Sequence, residues 1–91
     1  MPEKNSEQRP IYLRTFTLRE LGDLEEIKKG IEKNMIIIIR ITPLAHKDVE
    51  ELKNAVETLH KSVTMMGGDI ARLGEERIIL TPPEVKIWQG R

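Results

Sequence analysis

Hydrophobic and polar positions change their period several times along this chain, and each change marks an element. Residues 1–10 carry no apolar period and two prolines, which predicts a disordered lead-in. From Ile11 the pattern alternates, with Ile11, Leu13 and Thr15 on one side and Tyr12, Arg14 and Phe16 on the other, as in a strand. Leu24, Ile27 and Ile31 then recur at helical spacing, behind Asp23 as a cap and Glu26 in the reciprocal capping-box position. Gly30 interrupts that pattern and implies close packing or fraying, and Asn34 punctuates its end. Met35 to Ile39 has no solvent-facing position at all. So short and β-branched a run reads as a central strand buried on both faces.

After it, Thr42 and Pro43 predict the cap and first residue of one long helix ending at Gly67–Gly68. Val49, Leu52, Val56, Leu59 and Val63 form its apolar stripe. Residues 69–73 and 77–81 read as two strands of a hairpin turning at Gly74–Glu75–Glu76, stopped by Pro82–Pro83. The tail, 84–91, is expected to add an edge strand or to fold back. The fold class is therefore α/β: a two-layer sandwich of order β-α-β-α-β-β, with a small mixed sheet covered by two helices on one face. Its globular domain is placed at 11–83.

That layout has a consequence for function. With both helices on one face, the isoleucine-rich strand leaves an apolar sheet surface of a size monomers rarely expose. A second copy is the natural cover. The rival arrangement sends the second helix to the opposite face and satisfies the monomer. The self-contact is placed at Ile37, Ile39, Gly67 and Gly68, since two glycines permit a close backbone approach.

Composition narrows the chemistry. The 91 residues suit one domain, and 15 basic residues balance 15 acidic ones, so nothing pulls the whole chain toward nucleic acid or anionic lipid. The absence of cysteine excludes disulfides and thiolate metal sites. With no signal-like segment and no spanning run, a cytoplasmic location is expected. His46 and His60 lie about 21 Å apart along one predicted helix, too far to share a metal. Glu75–Glu76 sits in a turn, Asp69 suits turn hydrogen bonding, and Ser6 and Ser62 have no adjacent histidine-based machinery, so no enzyme, cofactor or metal is expected. An alternative is a small RNA-binding or ribosome-associated domain, for which Arg14, Arg40, Arg72 and Arg77 supply charge but the strands carry few aromatics.

Arg40–Ile41–Thr42–Pro43, the run Gly67–Gly68–Asp69–Ile70–Ala71–Arg72–Leu73–Gly74 and Thr81–Pro82 resemble the core of the SepF cell-division family, in an archaeal form. The similarity spans about residues 11–88. It implies a homodimeric, further-assembling adaptor, recruited to the division site, that binds the C-terminal tail of the tubulin-like GTPase FtsZ. It also implies a dimer contact at the glycine ending the second helix, here Gly67 or Gly68. Arg72, as a donor, and Ile78, as an apolar contact, are the corresponding partner-binding positions. Typical members begin with an amphipathic membrane helix; residues 1–10 have no apolar face, so direct membrane contact is not expected from them.

Overall fold

The computed structural model describes residues 10–88 and Gly90; the predicted lead-in, Pro10 apart, lies outside them. Four strands, β1 (Leu13–Thr17), β2 (Ile36–Arg40), β3 (Asp69–Leu73) and β4 (Arg77–Thr81), form one sheet in the order β1-β2-β4-β3. β1 runs parallel to β2, while β4 is antiparallel to both its neighbours. Three helices connect them: α1 (Leu24–Glu32), a short α2 (Thr42–Lys47) and the long α3 (Val49–Met65). Ile37 and Ile39 of β2 and Ile78 and Leu80 of β4 share one core with Ile27 and Ile31 of α1 and with Ala55, Leu59 and Val63 of α3. Both main helices therefore cover the same face, and the rival with helices on opposite faces is excluded.

Local chemistry explains the element ends. Asp23 precedes α1, but its carboxylate reaches back instead, accepting from the Arg19 and Glu20 amides at 2.8 and 3.2 Å. It thereby folds the 3₁₀ turn Leu21–Asp23 that leads into α1. Gly30 is buried because the sheet approaches there: a Cβ would stand 2.9 Å from the Ile37 δ-methyl and 3.6 Å from the Phe16 ring. Asn34 leaves α1 in the left-handed region, at φ 61°, which asparagine tolerates better than most residues.

The predicted single second helix is broken. Asp48 adopts extended angles (φ −162°, ψ 104°) and its carboxylate accepts from the Glu51 amide at 3.1 Å, starting α3 anew. A helix end is stabilised by such an acceptor, and aspartate supplies it more readily than it continues a helix. Within α3, Ala55, Leu59 and Val63 are buried and Leu52 packs against the core, whereas Val49 in the first turn is 61% exposed. At the other end Gly67, at φ 84°, and Gly68 close a Schellman motif, donating to the carbonyls of Thr64 (2.9 Å) and Val63 (2.8 Å). The tail adds no strand up to Trp88. It turns at Pro82, whose carbonyl accepts from the Val85 amide, and the Ile87 amide donates to the Asp69 carboxylate at 3.3 Å.

Candidate functional site

The face of the sheet away from the helices is the candidate surface. Strand pairing arranges it in cross-strand rows, because partners in register project to the same side. The middle row holds Thr15, Ile38, Ile79 and Ala71. Toward one end, Leu13 lies beside Ile36, and Leu13 is 57% exposed. Toward the other end, Thr17, Arg40, Arg77 and Leu73 form a row that begins and ends uncharged but carries two arginines at its centre. The face is thus an apolar centre bounded at one end by cations.

The expected contact residues fall elsewhere. Ile37 and Ile39 are 0% exposed, packed beneath the helices, and cannot meet a second copy. Their neighbours Ile36 and Ile38 occupy the open face, both half-buried. A one-residue difference in phase decides this, and an unbroken isoleucine run carries no phase. Ile78 is likewise core, 2% exposed, so it offers no direct contact to a partner; Ile79 is the outward residue of β4. Arg40, the charged end of the same strand, was the signal that fixes this phase, since at period two it projects to the face of Ile38 and Ile36.

Gly68 has an explanation within one copy. A Cβ there would collide with the Thr81 carbonyl oxygen and lie 2.8 Å from a Val63 methyl. The close backbone approach inferred from the glycine pair exists, but its partner is β4 of the same chain. Gly67 is exposed and lies within ordinary van der Waals reach of Pro83. Arg72 is exposed on edge strand β3, and its guanidinium donates to the carbonyls of Gly74 (3.4 Å) and Glu75 (3.2 Å). It braces the hairpin turn while remaining open to solvent.

Among the described residues no cluster of histidine, aspartate and glutamate could hold a metal, and no helix is long and apolar enough to cross a membrane. His46 and His60 are both exposed. A two-layer α/β sandwich that leaves one apolar sheet face uncovered belongs to the class of small domains with a surface suited to protein contact.

Comparison with known proteins makes this specific. Residues 14–87 match the family described as Cell division protein SepF, and the chain belongs to that family. Among solved structures it is similar to a SepF-like protein from Pyrococcus furiosus, with 28% identity, a TM-score of 0.81, and coverage of 90% of this chain and 99% of that one. A SepF-like protein from Archaeoglobus fulgidus gives 28% identity and a TM-score of 0.82, covering 89% and 96%. No functionally curated protein matches at a significant level. The role these matches support is that of a non-catalytic cell-division scaffold.

Proposed function

We propose that this domain is a cell-division adaptor that pairs with a second copy through its open sheet face and binds the C-terminal tail of FtsZ. The observation that carries the reading is the row Ile38–Ile79–Ala71 with Leu13 and Ile36 beside it, an apolar surface on a chain of the SepF family. Burying such a face against its own copy removes apolar area from water, at roughly 25 cal/mol per Å². Two-fold pairing lets the same residues serve both partners.

The tail is assigned to the β3–β4 hairpin edge. Arg72 supplies a charged donor there, and Leu73, 45% exposed, supplies the apolar contact that buried Ile78 does not. Calorimetric titration with the FtsZ tail peptide of the same organism tests the adaptor reading; saturable binding weakened several-fold by Arg72→Ala is expected. Absence of heat at high micromolar peptide would overturn it. Self-association is tested separately, by light scattering on Ile38→Lys, which is expected to be monomeric. Gly68→Lys is unsuited to that purpose, because its side chain would clash inside the monomer.

A further inference from the structure

We propose that the arginines at the cationic end of the open face form a binding site for a phosphate group. An open groove of about 560 Å³ wraps the β1 edge past the start of α1; Arg40 and Arg77 line it from the open face, Arg19 from the segment after β1, and Arg14, in register with Ile37, from the helix side. Two acids also line it, Asp23 and Glu26, and both are engaged. The Asp23 carboxylate holds the Arg19 and Glu20 amides, and Glu26 pairs with Lys29 at 3.4 Å. Among the described residues, none of the four arginines forms an ion pair.

Their placement is not accounted for by folding. Register sets Arg40 directly opposite Arg77 on neighbouring strands, an arrangement that destabilises a sheet when the charges are alike. Two of the four guanidiniums are held in place by uncharged partners. Arg40 Nε donates to the Thr42 hydroxyl at 3.2 Å, and Arg14 lies over the Phe16 ring, 4.5 Å from its centroid. Neither partner neutralises the charge. An anion placed between Arg40 and Arg77 would turn their repulsion into shared attraction.

A phosphate group fits this best by charge. Each guanidinium presents a planar fork that matches two oxygens of one tetrahedral anion. Several forks around one groove suit a multiply charged ligand over a single carboxylate. The same chemistry is offered by a free phosphate or by a phospholipid headgroup. The site uses none of the residues assigned to the FtsZ tail, although Arg77 lies in register with Leu73, so Arg72→Ala, which weakens the tail contact, is expected to leave pyrophosphate binding unchanged.

The test uses the full chain and pyrophosphate as probe, following the arginine Nε–Hε resonances and Tm against sodium chloride of matched ionic strength. Saturable shifts at Arg40 and Arg77 are expected, with a rise in Tm beyond that of the salt. Arg77→Gln is expected to weaken binding at least tenfold, while Lys61→Gln, on the far helix, leaves it unchanged. Relief of the like-charge pair should keep Arg77→Gln as stable as the parent; if it folds poorly, Arg40→Gln replaces it. Co-sedimentation with phosphatidylcholine vesicles, with and without phosphatidic acid, distinguishes the source. Pelleting with phosphatidic acid that Arg77→Gln abolishes assigns a lipid headgroup, and pyrophosphate binding without pelleting assigns a free anion. Shifts that merely track ionic strength, together with no pelleting, overturn the site, as does an Arg77→Gln variant that binds like the parent.

Discussion

At the scale of single residues, the two most informative positions are glycines that look alike in sequence and differ in what surrounds them. A Cβ on Gly30 meets chiefly the terminal methyl of Ile37, which can rotate, and alanine gains about 1 kcal/mol of helix propensity. A Cβ on Gly68 meets a carbonyl oxygen of the neighbouring strand, which cannot move without breaking the sheet. Thermal melts should therefore place Gly30→Ala within about 1 kcal/mol of the parent, while Gly68→Ala loses about 2–3 kcal/mol, in the range of forced overpacking. Equal losses at both would show that the Gly68 approach is softer than described. Thr81 adds a converse case: it is 2% exposed and its hydroxyl finds no hydrogen-bond partner among the described residues. Thr81→Val keeps the shape and removes the unmatched polar atom, so a gain of about 1 kcal/mol, read as a Tm several degrees higher, is expected.

At the scale of elements, the break between α2 and α3 shows how one side chain can reset a helix. The stripe of Val49, Leu52, Val56, Leu59 and Val63 was legible as helical, and Leu52, Leu59 and Val63 do face the core, but the helix was expected to run unbroken from Thr42. Asp48 competes for the backbone amide of Glu51 and wins, because α3 can then point its own face, Ala55–Leu59–Val63, into the core. Asp48→Ala should cost about 1 kcal/mol, with Asp48→Asn recovering most of it, as chemical denaturation would report. An Asp48→Ala variant as stable as the parent would mean that packing alone sets the break. The strands were legible in number, order and approximate extent, since their β-branched runs and glycine or proline boundaries are local signals. Pairing is not local. That β4 inserts between β2 and β3, and that Arg40 therefore faces Arg77, follows only from hairpin and crossover together.

At the scale of the whole molecule, one sheet face is covered by helices and the other is open, and this asymmetry is the basis of the proposed self-association. If a second copy covers the open face, stability must depend on concentration, because dimerisation stabilises the folded state by mass action. Tm should rise with protein concentration in the parent chain and stay constant in Ile38→Lys. A concentration-independent Tm in both would remove the open face from any stable contact.

The sequence by itself determined the fold class, the boundaries of most elements and the family, because periodicity, punctuating glycines and prolines, and the Gly67–Gly68–Asp69 segment are all written locally. It also carried the expectation of a binding domain with an uncovered apolar face. The structure showed which isoleucines make that face. Across Ile36–Ile39 either phase buries equal apolar area, so the choice falls to the charged Arg40 at the strand end, which projects with Ile36 and Ile38, and to the pairing with the neighbouring strands. The structure likewise gave Gly68 a reason within its own chain, the Thr81 carbonyl, and it brought together arginines that lie far apart in sequence. Both depend on where distant strands meet, which no local pattern records.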